Sequence, residues 1–244
     1  MTKLSVNLNK FALIRNARGT DKPNVLSIAK RAVQKGVHGI TVHPRPDQRH
    51  AKYQDVNDLS EYIKELPEIE FNVEGNPTDK FLDIVCKSKP DQCTLVPDAD
   101  DQITSDHGWD VLSNKEVLIP IIARLKSCGI RVSLFLDAGD ERQVYAAKEV
   151  GADRIELYTE PYAVAFDNKN TDSVLDQFVQ SAILGNKIGL GINAGHDLNL
   201  QNLDLFLSTV PHVDEVSIGH AIVVESFDYS FETTLGKYLS IVKK

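Results

Sequence analysis

The chain has 244 residues, 42% hydrophobic and 25% charged, a balance that excludes wholesale disorder. Its 35 Asp and Glu outnumber 27 Lys and Arg for a net charge of −8, which argues against a nucleic-acid binder and requires any anionic ligand to be met by a local cluster of cations. The first residues, MTKLSVNLNK, contain no run long enough for a signal peptide or a membrane span, so a cytoplasmic protein with no membrane partner is expected.

Short apolar runs alternate with helical patterns along the chain. Residues 4–8 read as a strand and 25–34 as a helix; 39–42 as a strand and 56–65 as a helix; 69–73 as a strand and 80–87 as a helix. Residues 92–96 form the next strand, followed by a long helix over 114–128 that Gly129 ends. Strands at 131–136, 154–157, 188–192 and 215–218 alternate with helices at 140–150, 173–185 and 200–208, and helical material runs to the end. Each repeat holds one strand, one helix and two short connections, which implies a parallel sheet with helical crossovers. Eight such units in about 250 residues fit a (β/α)8 TIM barrel with a few extra helices. A doubly wound open sheet is the alternative, but no GxGxxG follows the first strand. No Pro/Gly/Ser-rich linker divides the chain, so residues 1–244 read as a single domain. Cys86, Cys93 and Cys128 lack CxxC spacing, so neither a zinc knuckle nor a disulfide framework is expected, and Cys86 and Cys128 read as buried thiols.

A barrel gathers its functional groups at the C-terminal ends of its strands. The residues that follow the apolar runs are Asn7, Asn9 and Lys10; His43 and Arg45; Glu74; Asp98; Asp137; Glu156; Asn193 and His196; and Gly219 with His220. Any one of these could be a solvated turn residue; their joint placement on one rim points to a site. The Gly-His pairs at 195–196 and 219–220 end the last two strands, where this fold often holds phosphate. Arg15, Arg18, Arg45, Arg49 and His50 form a second basic cluster, either a solvated loop or an anion clamp. Two anion sites on one rim suggest a substrate, or a pair of substrates, with two phosphates. His43, Glu74, Glu156 and His196 suit acid–base work near neutrality; a divalent ion held by the same four stays open, though no HxH or HExxH spacing supports it. Asp98, Asp100 and Asp101 read as a solvated acidic loop, and Trp109, His107 and Tyr158 are undecided.

The motifs RNARG, TVHPRPDQRH, NAGH and SIGHAIV, in this order, resemble the pyridoxine 5'-phosphate synthase family over essentially the whole chain. The resemblance implies a (β/α)8 barrel, assembled as a homo-octamer, that needs no metal or organic cofactor. It implies condensation of 1-deoxy-D-xylulose 5-phosphate with 3-amino-2-oxopropyl phosphate, with release of inorganic phosphate and water. It implies that His43 is an acid–base group, Glu74 a general base, Glu156 a stabiliser of charge in the transition states and His196 an acid. Substrate contacts are implied at Asn7, Arg18, Arg45, His50, Thr104, Gly219 and His220. The chain departs from the family's pattern at Asn9 and Lys10, where an Asp-His pair is usual, and at Asp197, where glycine is usual. Those three positions are still expected to meet substrate.

Overall fold

The computed structural model describes residues 1–98 and 105–243. In chain order they form β1 (Lys3–Asn7), α1 (Asn9–Ala17), α2 (Val25–Lys35), β2 (Gly39–Val42), α3 (Tyr53–Ile63), β3 (Glu70–Gly75) and α4 (Asp79–Ser88). Next come β4 (Gln92–Leu95), α5 (Lys115–Ser127), β5 (Arg131–Leu136), α6 (Glu141–Glu149) and β6 (Arg154–Leu157). The last third holds α7 (Glu160–Asp167), α8 (Asp172–Lys187), β7 (Gly191–Gly195), α9 (Leu203–Thr209), β8 (Val213–Ile218), α10 (His220–Tyr229) and α11 (Phe231–Val242). The strands pair in parallel, each with its chain neighbour, and β8 closes on β1. The expected (β/α)8 barrel is the observed one.

Strand residues alternate between two surroundings. Leu4 and Val6, Ile40 and Val42, and Val132, Leu134 and Leu136 face outward and are fully buried under the helices. Each such side chain contributes about 1.5–3 kcal/mol on burial. The inward residues are polar, whereas branched aliphatics usually fill a barrel of this type. Ser5 Oγ and Thr41 Oγ1 lie 2.8 Å apart, Asn72 Nδ2 donates to Thr41 Oγ1 (3.4 Å), and Thr94 Oγ1 donates to Asn72 Oδ1 (3.2 Å). Below them Arg131 pairs with Glu70 and Gln92, and Arg154 Nη1 donates to Asn193 Oδ1 (2.7 Å). The barrel is therefore an apolar shell around a hydrogen-bonded polar column. Near the mouth Val96, Phe135 and Tyr158 add a small apolar cluster.

Four sequence expectations change. Residues 9–17, for which no element was expected, form α1: Phe11, Ala12 and Arg15 are on its buried face, with Arg15 neutralised by Asp55 through bonds of 2.5 and 2.9 Å. Residues 160–167 form the unforeseen α7, which buries Tyr162 and Ala165. The strand expected at 188–192 starts at Gly191, because α8 continues through Gly185 to Lys187. Gly185 is no helix end: a Cβ there would meet Ile192 Cδ1 at 2.6 Å, so glycine permits close packing on the sheet. Cys86 and Cys128 are not buried thiols but a disulfide, with Cα atoms 5.6 Å apart, joining the last turn of α4 to the end of α5. The pairing is spatial, across 42 residues, and leaves no short-spacing signature. Cys93 is the buried free thiol.

Candidate active site

The C-terminal ends of the strands surround a cavity of about 300 Å³. Ten of the expected site residues line it: Asn7, Asn9 and Lys10 from the end of β1 and start of α1; His43, Arg45 and His50 after β2; His196 and Asp197 after β7; Gly219 and His220 after β8. Short polar links hold the β1 and β2 ends together. Asn9 N–H donates to Asn7 Oδ1 (3.0 Å), and His43 N–H donates to Asn9 Oδ1 (2.7 Å). Asn7 Nδ2 then donates to Glu74 Oε2 (3.3 Å), so one amide joins the cavity wall to a carboxyl beneath it.

Glu74 and Glu156 form the floor, each 1% exposed. Burial, then the neighbouring carboxyls Glu156, Asp98 and Glu215, hold Glu74 well above the usual carboxylate range. Burial pushes Glu156 up to about 7. His196 Nδ1 lies 3.7 Å from Glu156 Oε1, and its ring meets the Phe135 ring edge-on with centroids 5.2 Å apart. His196 has φ +61°, a left-handed conformation that non-glycine residues rarely adopt and that recurs at functional sites. Gly195 before it admits no side chain: a Cβ would meet Ser217 O at 2.5 Å and Glu156 Oε1 at 3.2 Å.

The imidazoles are shifted the opposite way. Burial, then Arg45 and the other histidines, keeps His43 well below its usual value. His50 is lowered to about 4 by burial, then Lys10, Arg49 and Arg45; His196 is lowered to about 4 by burial, then Arg45 and Lys10. Burial and Lys10 lower His220 as well. Lys10 and Arg45 thus bring positive charge to the cavity of an acidic protein, which is the local arrangement an anionic ligand requires.

Other expectations fare differently. Asp98 is not a solvated loop residue: it is 5% exposed, pairs with Arg45, and accepts from Ser105 Oγ (2.7 Å). The basic cluster is divided. Arg45 and His50 reach the cavity, Arg15 is turned to Asp55, and Arg49 lies 3.4 Å from Asp47. Arg18 is exposed at the end of α1 and does not line the cavity. Thr104, Asp100 and Asp101 lie outside the described residues. His107 is exposed beside Asp106, and Trp109 donates to Leu95 O (3.0 Å), both away from the cavity. Among the described residues no group of three His, Cys, Asp or Glu is arranged to hold a metal. Ser105, Tyr158, Glu160 and Ser217 also line the cavity. Tyr158 and Glu160 could have been found by reading two and four residues past Glu156 at the end of β6.

A closed parallel barrel with its polar cavity at the C-terminal strand ends defines a (β/α)8-barrel enzyme. The chain belongs to the family described as pyridoxal phosphate biosynthesis protein PdxJ, which it matches over residues 4–244. It is 49% identical over 243 residues to the pyridoxine 5'-phosphate synthase of Christiangramia forsetii, covering 100% of both chains. It is 50% identical over 243 residues to that of Bacteroides thetaiotaomicron, again covering 100% of both. Its fold also resembles the crystal structure of 3-keto-L-gulonate-6-phosphate decarboxylase from Vibrio cholerae, with a TM-score of 0.67 at 10% identity, covering 99% of this chain and 97% of that one. That last likeness is one of fold alone.

Proposed function

We propose that this chain is a pyridoxine 5'-phosphate synthase that joins 1-deoxy-D-xylulose 5-phosphate to 3-amino-2-oxopropyl phosphate by acid–base catalysis from its own side chains. The observation that carries the reading is one cavity in which Lys10, Arg45, His50 and His220 stand over the buried carboxyls of Glu74 and Glu156. The charges of Lys10 and Arg45 and the ring N–H donors of His50 and His220 suit two phosphate groups, and the deep groups suit proton transfer. Attack of the amine on the ketone gives a carbinolamine that must lose water. Phosphate then leaves, and ring closure removes protons from carbon. His43 and His196 serve as proton carriers on the wall, Glu74 as the base beneath them, and Glu156 as the group that answers positive charge as it develops.

Burial biases Glu74 and Glu156 toward their protonated forms and His43 and His196 toward their neutral forms. A base at Glu74 and an acid at His196 need the reverse. An arriving phosphate raises the pKa of the imidazoles, and an imidazolium near the buried carboxyls in turn favours their ionised forms. Substrate binding then sets the working protonation states.

A cytoplasmic homo-octamer belongs to the same reading. Leu13 and Ile14 on α1, and Val224 and Phe227 on the adjoining α10, are exposed apolar residues that suit contact with another copy. The experiment is direct: incubate the protein with both phosphorylated substrates and assay pyridoxine 5'-phosphate and inorganic phosphate, with and without a chelator. Equimolar formation of both, unaffected by chelation, is expected. No product, or strict dependence on a divalent ion, overturns the reading.

A further inference from the structure

The cavity is not uniformly cationic. Glu160 and Asp197 line it beside Tyr158, whose hydroxyl donates to Glu160. Among the described residues, neither carboxylate is paired with a Lys, Arg or His side chain. The Asp197 main chain is engaged: its N–H donates to Thr159 Oγ1 (3.3 Å) and its carbonyl accepts from Asn202 Nδ2 (3.2 Å). Its carboxylate makes no such bond and is left to the cavity. Burial and the nearby Glu160 push Asp197 up to about 6, as expected of two acids facing one space without a cation.

A second observation marks the same end. Ser217 lines the cavity and is 4% exposed, yet its Oγ has no hydrogen-bond partner. Its own carbonyl accepts from His196 N–H (3.2 Å), so the serine adjoins the turn that carries Asp197. Buried hydroxyls are rarely left unpaired, and this one sits in the cavity wall where a ligand's donor could pair with it. Two carboxylates and a hydroxyl offer mainly acceptors. They repel phosphate and suit a compact cation with several N–H donors, which is a primary ammonium.

We propose that Glu160, Asp197 and Ser217 seat the primary ammonium of the nitrogen-bearing substrate, while Lys10, Arg45, His50 and His220 meet phosphate. The inference deepens the synthase reading and rests on it for the identity of the substrate. A cavity built in this way selects small molecules with an amine at one end and a phosphate at the other. It also fixes which end of the amino ketone faces β6 and β7.

The test is calorimetric titration of the full chain near neutral pH, in chelator, with O-phosphoethanolamine and with ethyl phosphate. These probes share the phosphate and differ in the ammonium. The wild type is expected to bind phosphoethanolamine about tenfold or more tightly than ethyl phosphate, the scale of a hydrogen-bonded charge. The Glu160→Gln/Asp197→Asn double variant is expected to lose that preference while binding ethyl phosphate at least as tightly, which also shows that it is folded. Equal affinities in the wild type, or a preference that survives in the variant, overturn the seat. Magnesium or calcium titrated alone without chelator is expected to give no saturable heat; saturable binding lost in the variant overturns it in favour of a metal site. The same wild-type preparation is assayed for pyridoxine 5'-phosphate. Product without ammonium preference refutes the seat and leaves the synthase reading standing. Ammonium preference without product refutes the synthase reading and supports the seat.

Discussion

Burial and neighbouring cations shift the cavity imidazoles toward their neutral forms, and this has measurable consequences. His50, lowered to about 4 with Lys10, Arg49 and Arg45 around it, should titrate at higher pH once inorganic phosphate is present. Imidazole NMR shifts followed against pH, with and without phosphate, check this; an unchanged titration would remove the anion from that corner. Glu74→Gln keeps the shape and hydrogen-bonding capacity of a carboxyl that burial pushes toward its protonated form. It should leave the melting temperature near that of the wild type and lower product formation by about 10²–10⁴-fold, the range for a lost general acid or base. Steady-state rates beside thermal melts check both halves. The residues behind these expectations were largely legible as polar positions after apolar runs, His43 and His196 above all. Asp98 was not legible: its neighbours in VPDADDQ look solvated, and only the fold reveals that it meets Arg45. Glu160 was missed because the apolar run of β6 ends before it, and its place on the cavity depends on how the chain turns into α7.

Most elements with a continuous apolar period were legible from the sequence, whereas the short α7 and the charge-bearing α1 were not. α1 shows why: an arginine inside its buried face breaks the pattern that marks an amphipathic helix. The arginine is tolerated because α3 presents Asp55, whose carboxylate takes both ends of the guanidinium and also accepts from Lys52 N–H (2.6 Å) at the start of α3. One side chain therefore ties two helices together and caps one of them. Asp55→Ala leaves Arg15, 4% exposed, without its counter-charge and should cost about 3–5 kcal/mol. Urea unfolding of the variant checks this, and α1 should loosen first in hydrogen exchange. Asp55→Asn keeps an acceptor and should cost less. Since α1 starts at Asn9, which holds His43, a rise in KM is expected to accompany the loss of stability.

Across the whole molecule, the shell and the column of the barrel respond differently to pH. The apolar shell carries no carboxyl or imidazole, whereas the polar column buries Glu74, Glu156 and Glu215. Glu215 is pushed up to about 8 by burial and by Glu70, against the opposing pull of Arg154 and Arg131, and its Oε1 has no hydrogen-bond partner. A carboxyl with a raised pKa in the folded state loses its proton first in the unfolded chain. Its contribution is therefore fully present below about 4.5 and is lost as pH rises through the folded values of about 7 for Glu156 and about 8 for Glu215. The lowered histidines act in the opposite sense, with stability lost as pH falls from 6.5 toward about 4 for His50 and His196. Between pH 4.5 and 6.5 the two trends oppose each other. From 6.5 to 8 only the carboxyls act, and the unliganded protein should lose about 1.4 kcal/mol per pH unit for each carboxyl still protonated in the fold. Glu215→Gln removes one such group at the end of the column away from the cavity. Its melting temperature should fall less steeply than that of the wild type between pH 6.5 and 8, with parallel curves below pH 4.5. Equal slopes for variant and wild type would mean that Glu215 already carries its charge in the folded barrel, with Arg154 and Arg131 outweighing burial.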